Sequence, residues 1–211
     1  MAFFINKQGR QLAYNMLVPP KVPAPVVIFS HGFDSSKDSP RSRPIADELL
    51  NEGVASFLFD YTGHGQSQGN KLDSTIEQQA DDLESAIALL KGMPEIDFPK
   101  LALHGSSSGC LPILFNVETN QDASAIVLRA PRTDGQFPEI LARATDITCP
   151  VLVIQGEYDP LLEDTKVFYA KLKTEKEFKV IGGADHLFTN PEHFTEVRAV
   201  TVKWLNNRLK A

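Results

Sequence analysis

The chain has only two cysteines and one tryptophan among its 211 residues. Cys110 and Cys149 lack the paired spacing of a zinc site, and they read as reduced thiols rather than a disulfide. No group of histidines and carboxylates has convincing ligand spacing, so neither a metal nor another cofactor is expected. Clusters of lysine or arginine are also missing. With 21 basic against 27 acidic residues and a formal charge of −6, the electrostatic footprint of a nucleic-acid binder is absent. No apolar stretch approaches the roughly 20 residues that cross a bilayer. The segment Met1–Lys7 has three consecutive apolar residues after Ala2, too few for a signal-peptide core. Repeats, low-complexity tracts and linkers are absent. The expectation is a cytoplasmic protein with one domain over residues 1–211, acting on a small molecule and spanning no membrane.

What is present alternates between strand-like and helix-like segments, the pattern of an α/β domain with a mostly parallel sheet. Phe3–Asn6 and Arg10–Val18 flank a Lys7-Gln8-Gly9 turn and predict a hairpin. Six further apolar runs follow: Val26–Ser30, Ala55–Asp60, Leu101–His104, Ala125–Arg129, Val151–Gln155 and Glu177–Ile181. Such continuous runs suit strands covered on both faces, so a three-layer, eight-stranded sheet with helices on both sides is expected. Ser39-Pro40 predicts one helix start and Gly53 its end. Ser74-Thr75-Ile76-Glu77 reads as a capping box, and Asn190-Pro191 opens a last helix that buries Val197, Val200, Trp204 and Leu205.

The sharpest chemical signal is Gly105-Ser106-Ser107-Ser108-Gly109, a Gly-x-Ser-x-Gly motif between a predicted strand and the apolar run Cys110, Leu111, Ile113, Leu114. A sharp strand-to-helix turn exposes the central serine, here Ser107, and the glycines let neighbouring backbones approach. A serine hydroxyl needs a base beside it. His186, in the loop Gly182-Gly183-Ala184-Asp185-His186 beyond the last strand, suits that role better than His193, which falls inside a predicted helix. Asp159, just past the strand Val151–Gln155, is the candidate acid; Asp185 and Glu157 compete with it. Two backbone amides, those of Ser108 and Phe33, are the candidate oxyanion hole, although Phe33 also suits a wall of the acyl pocket.

With Ser30-His31-Gly32-Phe33, Phe59–Ser67, Gly105–Gly109, Gly156–Asp159 and Gly183–Phe188 in this order, the chain resembles the α/β-hydrolase serine esterases. The likeness is greatest to the monoacylglycerol-lipase and cinnamoyl (feruloyl) esterase branch and spans nearly the whole chain. It implies an α/β-hydrolase fold and hydrolysis of an acyl substrate through an acyl-serine. In that family the turn matched by Gly63-His64-Gly65-Gln66-Ser67 is structural, which implies no catalytic role for His64; His31 and His104 read as supporting residues. One departure stands out. Only 18 residues separate Pro131 from Pro150, where those esterases insert a lid of several dozen. Phe137, Ile140, Leu141 and Ala144 share one helical face there, so an ordinary sheet-packing helix, no lid domain and an open pocket are expected. A homodimer, or the loops Phe33–Ser39 and Gln66–Asp73, would then close it. Hydrolysis of a small ester or thioester is the leading expectation. The same residues also suit a peptidase or an acyltransferase, and a non-catalytic binding protein on this fold is the reading from a different class.

Overall fold

The computed structural model describes residues 2–116 and 122–210. Its strands are β1 (Ala2–Ile5), β2 (Gln11–Leu17), β3 (Ala24–Ser30), β4 (Ala55–Phe59), β5 (Ile96–Ser106), β6 (Ala123–Arg129), β7 (Val151–Gly156) and β8 (Lys176–Ile181). They form one eight-stranded sheet in the order β1-β2-β4-β3-β5-β6-β7-β8. β1 and β2 pair antiparallel, β2 joins β4 antiparallel, and every later pairing is parallel. The strand order reverses at β3, so β4 lies on one side of it and β5 on the other. That is a switch point, where ligands gather beyond the strands' C-terminal ends.

The central strands are apolar on both faces, as a two-sided cover requires. Val26 and Ile28 of β3 pack with α2 (Ile76–Lys91), α3 (Cys110–Phe115), α4 (Pro138–Ala142) and α5 (Leu162–Lys171). Val27 and Phe29 face the other way, toward α1 (Arg43–Asn51) and α6 (Pro191–Leu209). The α/β-hydrolase expectation, three layers with helices on both faces, therefore holds.

Local departures have plain causes. Helix α1 starts at Arg43 with Pro44 in its first turn, not at Ser39-Pro40. The Ser39 carbonyl instead accepts from the amides of Ser42 and Arg43, forming a turn that leads into the helix. Thr75, not Ser74, caps α2, its hydroxyl accepting from the Gln78 amide. Asn190 caps α6 as expected. Strand β5 begins at Ile96, five residues before the predicted run, because Ile96 pairs with Ala24 across a register shift. Residues 130–150 fold into α4 and one 3₁₀ turn, with Ile140, Leu141 and Ala144 buried on the sheet.

Candidate active site

The parallel register sets the C-terminal ends of the strands side by side: Ser30 opposite Gly105, Ser106 opposite Arg129, and Gly156 opposite Ile181. The three side chains singled out from the sequence project from this rim. At the end of β5 the chain turns sharply, and Ser107 holds φ +54°, a left-handed conformation costly for a residue with a Cβ. The turn is compact because glycine flanks it. A Cβ on Gly109 would lie 2.4 Å from the carbonyl oxygens of Ser30 and His31, and one on Gly105 would lie 2.8 Å from the Cys110 Cα.

His186 and Asp159 complete a continuous chain of hydrogen bonds with Ser107. Asp159 is buried, and its carboxylate can only accept, so His186 Nδ1 donates to Asp159 Oδ2 at 2.6 Å. That leaves the lone pair of Nε2 facing Ser107 Oγ at 2.9 Å. Two further donors hold the carboxylate: Gln155 Nε2 reaches Oδ2 at 2.6 Å and the Leu161 amide reaches Oδ1 at 2.9 Å. The competing acids do other work. Asp185 accepts from the amide and hydroxyl of Thr189, which hold its carboxyl below the ordinary range. Glu157 Oε2 accepts the Gly183 amide at 2.7 Å, so both brace the His186 loop. His193 lies within α6, away from this chain of bonds.

Facing Ser107 is the loop after β3. A Cβ on Gly32 would approach the Ser106 carbonyl oxygen to 2.8 Å and the Ser107 Cβ to 3.3 Å, so the Gly32 backbone lies close against the serine turn. Among the described residues no turn or loop hydrogen bond engages the amides of Phe33 or Ser108. The Phe33 side chain is exposed, with the Lys71 ammonium 4.8 Å from its ring centre. A cavity of about 290 Å³ opens here, with Gly32, Phe33, Ser107 and His186 in its walls.

The rim is also where the backbone is strained. Among the described residues, the non-glycine positions with positive φ are Asp34, Ser107, Ala130 and Phe188. The first three line the cavity, and Phe188 stands two residues past His186. Such strain persists only where surrounding structure holds it, and it concentrates at functional sites.

The model of one protein family, described as serine aminopeptidase S33, matches residues 21–139. The chain belongs to that family. Its fold is close to that of several solved α/β-hydrolases. The dienelactone hydrolase of Anabaena variabilis is 26% identical, with a TM-score of 0.85 over 99% of this chain and 98% of that one. Est1E of Butyrivibrio proteoclasticus, solved with ferulic acid bound, is 17% identical, with a TM-score of 0.89 over the full length of both. A protein of Mycobacterium tuberculosis named as a putative phosphoribosyl transferase is 26% identical over 92% of this chain but only 43% of its own length. The chain thus spans less than half of that relative.

Other residues of this S33-family chain frame the site. His31 is almost wholly buried; its Nδ1 bonds the Gly32 carbonyl at 2.9 Å and its Nε2 accepts from the Tyr61 amide at 3.3 Å. Burial lowers its pKa to about 4, so the ring is neutral and fixes the loop that carries Phe33. The Ser30 hydroxyl meets the Tyr61 hydroxyl at 2.5 Å and donates to the Gly109 carbonyl, tying β3 and β4 to the serine turn. The Gly63–Ser67 turn is held from within: Asp60 accepts the amides of Lys37 and Gln66, and Ser67 Oγ donates to the Asp60 carbonyl. His64 Nδ1 bonds the Thr62 carbonyl at 3.2 Å inside that turn. Sequence reasoning missed Gln155, Arg41 and Arg129. The last ends a strand that is apolar from Ala125 to Leu128, and a charged residue in that place was the available signal.

Proposed function

We propose that this chain hydrolyses small carboxylic esters or thioesters through an acyl intermediate on Ser107. The observation that carries the reading is the unbroken line of hydrogen bonds from the Ser107 hydroxyl through His186 to the buried Asp159. His186 Nε2 takes the hydroxyl proton as Ser107 Oγ bonds to the acyl carbon. The carbonyl oxygen becomes an oxyanion, and the amides of Phe33 and Ser108 stabilise it. The imidazolium, oriented and balanced by Asp159, then gives its proton to the departing alcohol or thiol. Water repeats the sequence: His186 removes a proton from it, hydroxide adds to the acyl carbon, and Ser107 leaves with its proton restored.

The small cavity and the short β6–β7 connection favour a small acyl group and an open site without a lid domain. The walls are loops instead. Lys71 pairs with Asp34 and stands over Phe33, joining the Phe33–Ser39 and Gln66–Asp73 segments at the mouth. A cytoplasmic setting fits the two free cysteines, Cys110 and Cys149.

The family's description favours a second reading, an aminopeptidase. Such an enzyme must receive an α-ammonium group, which calls for an unpaired carboxylate. Among the described lining residues the carboxylate is that of Asp34, already paired with Lys71, while two arginines face the same space. That polarity favours the ester reading. Parallel assays of aryl esters, thioesters and aminoacyl anilides test it. Ester or thioester turnover that falls at least about a thousandfold in Ser107→Ala is the expected result. Anilide cleavage alone would replace this reading with the peptidase one, and undiminished ester turnover in Ser107→Ala would end it.

A further inference from the structure

Arg129 ends β6 beside Ser106 and is 3% exposed. Its Nη2 donates to Ser106 Oγ at 2.5 Å, which holds the side chain against the residue preceding Ser107. Its Nε is buried with no acceptor, and among the described residues it forms no ion pair. Burial, and to a lesser degree the nearby Arg41, lower its pKa to about 10, which leaves it charged at neutral pH. A cation removed from water without a partner is strongly unfavourable, and a fold keeps such a group where something else supplies the counter-charge.

Arg129 also lines the cavity that holds Ser107 and His186. Arg41 lines it from the opposite loop. Its Nε donates to the Leu187 carbonyl, one residue past His186, and it too makes no ion pair among the described residues. Two guanidinium groups therefore border one small space, and the Asp34 carboxylate there is engaged by Lys71. A guanidinium presents its N–H groups as a planar fork that matches a carboxylate.

We propose that Arg129, assisted by Arg41, forms a carboxylate-binding subsite beside Ser107, and that the natural substrates are small esters carrying a second, free carboxylate. This rests on the Ser107 ester reading for its chemistry, but not for its binding. Arg129 neutralises the free carboxylate and fixes the distance between that anion and the scissile bond. An uncharged ester of equal length gains neither.

The test compares matched pairs on the wild-type protein. 4-Nitrophenyl hydrogen adipate is set against 4-nitrophenyl hexanoate, and 4-acetoxyphenylacetate against its neutral amide, to place the carboxylate on the acyl or the alcohol side. A kcat/KM preference of at least about tenfold for the anionic member of either pair is expected, falling toward unity in Arg129→Met and only partly in Arg129→Lys. Should Arg129→Met not fold, Arg41→Gln lowers the ratio in the same direction. Equal rates within both pairs in the wild type would overturn the proposal while leaving the ester reading intact. Binding separates the two ideas: Ser107→Ala should bind monomethyl adipate at least tenfold more tightly than dimethyl adipate by calorimetry. That result in a protein that cleaves no ester would keep the subsite and discard the ester chemistry. Equal affinity for the monoester and the diester would discard the subsite.

Discussion

Two buried aspartates, Asp159 at the rim and Asp82 on α2, have nearly the same exposure and very different surroundings. Asp82 accepts from Asn6 Nδ2 at 2.7 Å, the Thr62 amide at 2.7 Å, the Thr62 hydroxyl at 3.1 Å and Gln78 Nε2 at 2.9 Å. Every donor is an amide or a hydroxyl, none changes charge near neutral pH, and together they lock the β1–β2 turn and the Thr62 turn onto α2. Asp159 has equally firm donors in Gln155 and Leu161, but its third partner is an imidazole whose side chain is 27% exposed. A satisfied carboxylate is a structural fastener when all its partners are fixed. One whose partner can gain a proton and faces a cavity is instead placed to act in chemistry. Burial alone does not distinguish the two.

Substitutions should separate these roles. The largest effect is expected at the end of the Asp159 chain, where Ser107→Ala removes at least about a thousandfold of ester turnover without lowering the melting temperature. Asp159→Asn keeps the shape but presents an amide to His186, favouring the wrong tautomer. A loss on the order of a thousandfold or more in kcat is expected, with the folded state retained on circular dichroism. Asp82→Asn should do the reverse. It points an amide at groups that donate, costing about 2–4 kcal/mol and lowering the melting temperature by roughly 5–15 °C, while turnover per folded molecule persists. A large activity loss in folded Asp82→Asn would break the contrast.

Two smaller effects sharpen it. His104 is buried and, among the described residues, both its ring nitrogens lack a hydrogen-bond partner; burial, aided by Arg129, lowers its pKa to about 3, and His31 falls to about 4. Because both are depressed from an ordinary value near 6.5, the unfolded chain binds more protons between pH 6.5 and these values. Stability is then complete above pH 6.5 and declines as pH falls, by up to about 1.4 kcal/mol per pH unit for each ring. His104→Phe should flatten the acid limb of a chemical-denaturation series, and an unchanged limb would contradict the assignment. Asp185→Ala, which loosens only the His186 loop, should change kcat/KM by less than about threefold.

Much of this was legible in the chain itself. Strand positions followed from runs such as Val26–Ser30 and Val151–Gln155, because a two-sided sheet demands unbroken apolar sequence. That Ser107, Asp159 and His186 would meet was legible because each sits near glycine or just past a strand, and the structure brings the three into one hydrogen-bonded line. The Asp82 fastener was invisible. Only Gln78, four residues back on α2, is local; Asn6 and Thr62 lie 76 and 20 residues away outside that helix, and nothing nearby in the chain marks them as donors. Arg129 reads in the sequence only as a strand end, and it is the cross-strand register with Ser106 that sets it beside the serine turn. The strain at Asp34, Ala130 and Phe188 likewise has no sequence signature, because none of them is glycine.

Peptide mapping by mass spectrometry after treatment with a fluorophosphonate tests the central claim most directly. One adduct is predicted, on Ser107, absent from Ser107→Ala and formed far more slowly in His186→Ala. An adduct on Ser106 or Ser108, or labelling of Ser107 that proceeds as fast without the His186 imidazole, would contradict the account.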